Sequence, residues 1–134
     1  MASVADTFRA LRVHAAGDAT EARLESLTLA DLAPGDVVIR GEWSSINYKD
    51  ALAVTGAGRI LRRFPLVAGV DVAGTVVASG DPRVPVGAAV TVNGCGLSET
   101  HDGGLAEVVR VPGEWVNLLP PGLGALPLLA PGPV

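Results

Sequence analysis

Four consecutive residues bring four different functional groups together. Asn47, Tyr48, Lys49 and Asp50 offer a carboxamide, a phenol, an ammonium and a carboxylate, and they close the run Trp43-Ser44-Ser45-Ile46-Asn47-Tyr48-Lys49-Asp50. Such a set can donate hydrogen bonds to a polarised oxygen and hold its own members in place. Lys49 carries added weight, because the chain's other nine basic residues are all arginine. An ammonium and a guanidinium differ in shape and hydration, so the choice of lysine matters. The plainer reading is a capped helix start with a solvated lysine. On residue types alone the two readings stand nearly level, and the single lysine tilts the balance to function.

Asp71 is the second candidate. It lies in Ala68-Gly69-Val70-Asp71-Val72-Ala73-Gly74, and an acid so flanked by apolar residues is expected to be partly buried and hydrogen-bonded. A turn aspartate accepting backbone N–H groups is the plainer account of it. The basic trio Arg59, Arg62 and Arg63 reads as a solvated face before it reads as a phosphate contact. Gly94-Cys95-Gly96 and Gly103-Gly104 are the nearest approach to a phosphate loop, but neither has the spacing of a dinucleotide or P-loop motif. Cys95, His14 and His101 are scattered and lack paired metal-ligand spacing. They read as a small buried thiol and two ordinary histidines.

The elements that must position these groups are mostly strands. Thr7 to His14 and Glu21 to Thr28 have β character, and Ala33-Pro34-Gly35-Asp36 is a turn signal. Beyond it, Val37, Ile39 and Trp43 alternate with Val38, Arg40, Glu42 and Ser44, which sets Trp43 on the face of Val37 and Ile39. Asn47 and Asp50, three apart, then mark a helix N-terminus, and Gly56 and Gly58 end that helix after about two turns. Extended segments follow at Phe64-Pro65-Leu66, Val70 to Ser79, Ala88 to Asn93, Leu105 to Val111 and Trp115 to Leu119. Many short strands with one short helix predict a compact, partly opened β-barrel.

Composition narrows the function. The chain has 134 residues, enough for one domain. Its net charge of −4 and 4% aromatic content argue against nucleic acid as a partner. No apolar run approaches the ~18 residues of a membrane span, and no secretory leader is legible at the N-terminus. The expected setting is the cytoplasm.

Together these segments resemble the N-terminal, GroES-like catalytic domain of medium-chain dehydrogenase/reductases. The similarity is greatest to the zinc-free, quinone-oxidoreductase-like branch that contains acryloyl-CoA reductases. It rests on Trp43-Ser-Ser-Ile-Asn-Tyr-Lys-Asp-Ala-Leu-Ala-Val-Thr-Gly56, on Phe64-Pro-Leu-Val-Ala-Gly-Val-Asp-Val-Ala-Gly-Thr-Val76, and on Gly103-Gly-Leu-Ala-Glu107 and Gly113-Glu-Trp115. It runs from about Phe8 to Gly122.

The resemblance implies a mainly β fold, a GroES-like partly open barrel with one or two short helices. It implies NADPH-dependent reduction of an activated C=C bond in an acyl-CoA or quinone-like small molecule. Tyr48 would line the nicotinamide and substrate cleft, with Asn47 as an amide donor beside it. Lys49, Asp50 and Asp71 would orient them. Zinc-dependent relatives carry a cysteine near the position of Asn47 and a His-Glu pair where this chain has Val70 and Asp71. No zinc is therefore expected. Family members are often homo-oligomers.

The family continues into a Rossmann domain that binds the cofactor, and no such domain is present in these 134 residues. Residues 1–122 are expected to form the substrate-side domain. The uncharged, proline-broken residues 123–134 are expected to be an irregular tail, truncated or read out of frame. The leading expectation is thus an N-terminal reductase fragment, inactive alone. The alternatives are a standalone GroES-like binding module and a non-functional gene remnant.

Overall fold

The computed structural model describes residues 7–56 and 61–120. The expected tail at 123–134, Gly58 and Arg59 lie outside the described residues. The elements are β1 (Phe8–Ala16), β2 (Ala19–Leu27), β3 (Val37–Trp43), α1 (Tyr48–Thr55), β4 (Leu66–Val67), β5 (Asp71–Ser79), β6 (Ala89–Asn93), β7 (Val108–Val111) and β8 (Asn117–Leu118). They form two antiparallel sheets, one ordered β2-β1-β4 and the other β7-β3-β5-β6-β8. The mainly β expectation holds, with α1 the one α-helix among the described residues. No described helix is long and apolar enough to cross a membrane.

The five-stranded sheet buries both faces. Val37, Ile39, Val76 and Val109 pack into one apolar cluster, while their neighbours Val38, Val77 and Val108 pack into another with Phe8, Leu27 and Val67. Strands covered on both sides need apolar residues at successive positions, and this accounts for the valine pairs along β3, β5 and β7. Each such side chain contributes about 1.5–3 kcal/mol by leaving water. A third cluster, with Val13, Leu61 and Leu66, holds Ala53 of α1 against the smaller sheet.

Segment 103–107 joins the two sheets. Leu11 N–H donates to Leu105 O at 2.9 Å, and Glu107 N–H donates to Arg9 O at 2.9 Å. On the other side, Gly41 N–H of β3 donates to Glu107 O at 2.8 Å. Among the described residues, this seam closes the barrel on one side. Gly104 lies so close to the strand head that an added Cβ would collide with the Asp71 carbonyl. The Gly103-Gly104 pair therefore serves backbone approach and does not form a phosphate loop.

Four sequence expectations are corrected. Trp43 is 48% exposed, because the β3–β5 register shifts between Gly41 and Trp43 and turns the strand end out of the core. The strand expected from Leu105 starts at Val108, since 103–107 is committed to the seam. Trp115 belongs to a 3-10 turn, Gly113–Trp115, rather than to a strand, and its ring packs edge-on against His101. Cys95 is exposed, not buried, on a loop where its backbone is left-handed at φ 58°.

Asp102, 5% exposed, pins the seam region to the rest of the fold. Its Oδ2 accepts Ala33 N–H and its Oδ1 accepts Val67 N–H, both at 2.8 Å. Asp102→Ala leaves two buried N–H groups without acceptors, so it should lower unfolding stability by roughly 3 kcal/mol. Asp102→Asn keeps one acceptor and should fall between. Urea midpoints of the three proteins check the order, and equal midpoints would contradict it.

Candidate active site

The chain leaves β3 through Ser44 and Ser45 and enters α1 at Asn47. Asn47 takes an extended N-cap conformation at φ −117° and ψ 166°. Asp50, the third helical residue, accepts the Asn47 backbone N–H at 2.9 Å through Oδ2. This is the capping interaction anticipated from the Asn47/Asp50 spacing. The helix ends at Gly56, left-handed at φ 74°, whose N–H donates to Leu52 O at 3.0 Å.

Asp50 is 2% exposed and does more than cap. Its Oδ1 accepts Val70 N–H at 3.0 Å, which fixes the helix start to the approach of β5. The next residue, Asp71, is fully buried. It accepts Ser45 N–H at 2.8 Å and Ser44 Oγ–H at 3.2 Å through Oδ1. Its Oδ2 accepts a close hydrogen bond from the Ser45 hydroxyl and a longer one, at 3.5 Å, from Asn47 Nδ2. Asn47 Nδ2 also donates to Ser45 Oγ at 3.0 Å and lies 3.3 Å from Asp50 Oδ2. Asp71 is therefore not a turn residue; it opens β5 and draws the β3–α1 connection onto the sheet.

Two buried acids, Asp50 and Asp71, thus hold the backbone on either side of Asn47. The residues between and beyond them stand out into solvent: Ile46 is 82% exposed and Tyr48 is 80% exposed. Asn47, Tyr48 and Lys49 wall one side of a cleft of about 630 Å³; residues 94–97 and Glu99 form the other side, with Val70 at the base. Lys49 makes an ion pair with Glu99 across it, so the lysine is not simply solvated. All five anticipated residues are gathered here, three on the cleft wall and two in the buried support. Sequence reasoning missed Glu99 and the paired hydroxyls of Ser44 and Ser45. The one local signal for Glu99 was an acid set within a glycine-rich loop; Ser44 and Ser45 adjoin the Asn47 run.

The other polar residues are accounted for elsewhere. His14 pairs with Glu25 on the β1–β2 hairpin. His101 is buried, with ring nitrogens 2.9 Å from Asp102 O and 3.2 Å from Pro34 O. Among the described residues no group of three His, Cys, Asp or Glu side chains is placed to hold a metal ion. The cleft wall, with an exposed aromatic ring beside an amide, fits the nicotinamide end of a dinucleotide. No described glycine pair provides a cradle for its phosphates, because Gly103-Gly104 lies against the Asp71 backbone and Gly94-Cys95-Gly96 leads into a turn, not a helix.

Asp71→Asn keeps the size of the side chain and sets an NH₂ group against hydrogens already aimed at an acceptor. It should cost roughly 2–3 kcal/mol and release the connection to α1. Amide hydrogen exchange reads this directly: the Ser45 N–H should exchange at least tenfold faster, about 1.4 kcal/mol of lost protection. Unchanged Ser45 exchange would show that Asp71 does not hold the connection.

The alcohol dehydrogenase GroES-like domain family matches residues 33–121. The probable acrylyl-CoA reductase AcuI of Escherichia coli is 50% identical over 106 residues, which cover 79% of this chain and 33% of that protein. The putative quinone oxidoreductase YhfP of Bacillus subtilis is 40% identical over 116 residues, covering 87% and 35%. Among solved structures, the yhdH oxidoreductase of Salmonella enterica in complex with NADP superposes with a TM-score of 0.88 at 46% identity, over 92% of this chain and 38% of that one. The chain spans about a third of the length of the curated relatives it matches. It belongs to the alcohol dehydrogenase GroES-like domain family, within the medium-chain dehydrogenase/reductases.

Proposed function

We propose that this chain is the N-terminal, substrate-side part of a cytoplasmic, zinc-independent, NADPH-dependent reductase of activated C=C bonds. Acryloyl-CoA is the first candidate substrate and a quinone the second. The observation that carries the reading is the cleft wall itself. Asn47, Tyr48 and Lys49 project from a connection clamped by Asp50 and Asp71, in a chain 50% identical to a probable acrylyl-CoA reductase. Residues 1–122 are assigned to this domain. The cofactor's phosphates belong to a part of the protein outside these residues.

A nicotinamide held against this wall would supply hydride chemistry for the β-carbon of the alkene. This chain's residues supply placement and polarity. Tyr48 presents an exposed ring to the cleft and carries an O–H donor at the ring's outer end, so it would line the space between nicotinamide and alkene. Asn47 adds an amide to the same wall. The first turn of α1 adds its positive dipole end to the same side of the cleft, where it would favour an oxygen on which negative charge develops. Asp50 and Asp71 touch no substrate; they keep these donors from shifting as the oxygen becomes anionic. The proton for the α-carbon would come from solvent or from a substrate hydroxyl.

Two measurements test this. The 134-residue chain alone should neither oxidise NADPH with acryloyl-CoA nor bind NADPH below the millimolar range by fluorescence titration. Residues 7–120 exchanged into the corresponding third of the E. coli acrylyl-CoA reductase should give a hybrid that reduces acryloyl-CoA. Tyr48→Phe in that hybrid should lower kcat/KM by about tenfold or more, equivalent to about 1.4 kcal/mol. A folded, NADPH-binding hybrid that ignores acryloyl-CoA and reduces quinones would transfer the assignment to the second substrate. One that reduces neither would end the proposal.

A further inference from the structure

The ion pair between Lys49 and Glu99 takes no part in the clamp formed by Asp50 and Asp71, and local helix chemistry does not account for it. Lys49 is the second residue of α1, where the helix dipole disfavours a cation. Glu99 stands opposite, on a tightly built loop. Gly94 N–H donates to Val70 O at 2.8 Å, Glu99 N–H to Gly96 O at 3.1 Å, Ser98 N–H to His101 O at 2.9 Å and Arg62 N–H to Glu99 O at 2.8 Å. Ser98, fully buried, holds φ 68° there, an uncommon conformation for a residue with a side chain. Glu99 is thus mounted on rigid backbone, while Lys49 reaches it on a flexible four-carbon stem that loses rotamer freedom when pinned. Among the described residues walling the cleft, Lys49 is the one cation.

We propose that Glu99 is a positioning residue. Its carboxylate holds the Lys49 ammonium at the cleft wall, where the ammonium meets the thioester carbonyl oxygen as negative charge grows on it. This rests on the reductase reading given above. A neutral carbonyl gains little from a nearby ammonium and an enolate oxygen gains much, so a fixed Lys49 acts mainly in the transition state. An ammonium has three N–H donors, and pairing with Glu99 leaves donors for the substrate. Without Glu99 the stem samples water, and the charge is no longer placed before the reaction.

The hybrid enzyme tests this through Glu99→Gln, Lys49→Met and the double variant. Glu99→Gln should lower kcat about tenfold with KM for acryloyl-CoA unchanged within about twofold. Lys49→Met should lose at least as much, and adding Glu99→Gln to it should cost nothing further, since both residues act as one unit. Glu99→Asp should recover part of the loss, with thermal midpoints within about 3 °C of the parent throughout. An independent reading uses the single lysine of the 134-residue chain: with ¹³Cε-labelled lysine, its one signal should move and sharpen in Glu99→Gln. An unmoved signal, an unchanged kcat, or an equal added loss in the Lys49→Met background overturns the proposal. A hybrid inactive with Lys49 and Glu99 intact counts against the reductase reading itself, and the proposal falls with it.

Discussion

The Asp71 carboxylate is the constraint on which the site depends. A carboxylate taken out of water costs several kcal/mol unless polar groups replace its hydration. Asp71 is fully buried at the head of β5, and its described partners are a backbone N–H, two serine hydroxyls and an amide. They come from Ser44, Ser45 and Asn47, the residues that connect β3 to α1. The connection therefore cannot leave the sheet without stranding a buried charge. Asp50 applies the same constraint one residue earlier on β5's approach, through Val70 N–H. Between these anchors the chain has little freedom, and Tyr48 is exposed without being loosely attached.

Asp102 repeats the device away from the cleft, joining Ala33 and Val67. In each case an aspartate accepts backbone N–H groups that lack a strand partner at a junction between elements. Small sheets with two buried faces leave many such junctions under cover, where water cannot reach them. Short acids serve there because each offers two oxygens on a stem with little entropy to lose. The apolar clusters set the sheets face to face, and the aspartates fix how the connections cross their ends. The cleft lies at one such end, between the start of α1 and the loop that carries Glu99.

What the sequence revealed follows the range of the interactions involved. The helix limits were legible because their causes are local: Asn47 and Asp50 lie three residues apart, and Gly56 takes the left-handed conformation that ends the helix. Burial of Asp71 was legible from its apolar neighbours, but its partners were not, because Ser45 is 26 positions away. Trp43 broke its alternation through a register shift that only the pairing with β5 creates. Trp115 was read as strand from its neighbours, whereas the structure sets it in a 3-10 turn against His101. Glu99 had no sequence reading of its own, because only the fold sets it across from Lys49. Residue types singled out Asn47, Tyr48, Lys49, Asp50 and Asp71 without any periodicity, and the fold brings them together around the β3–α1 connection.

The seam at 103–107 also bears on how the protein is made. Arg9 meets Glu107 across 98 positions of chain. At ribosomal speeds of about 5–20 residues per second, that separation amounts to roughly five to twenty seconds of synthesis. During that interval the β1–β2 hairpin exists without the segment that docks its edge, and an isolated two-stranded hairpin is at best marginally stable in water. Phe8 and Ala10, both buried in the finished fold, then still lack Val108 of their apolar cluster and the backbone of segment 103–107. The β1–β2 hairpin is thus the part of this segment that waits longest for its cover, which is complete only once residues 105–108 are made.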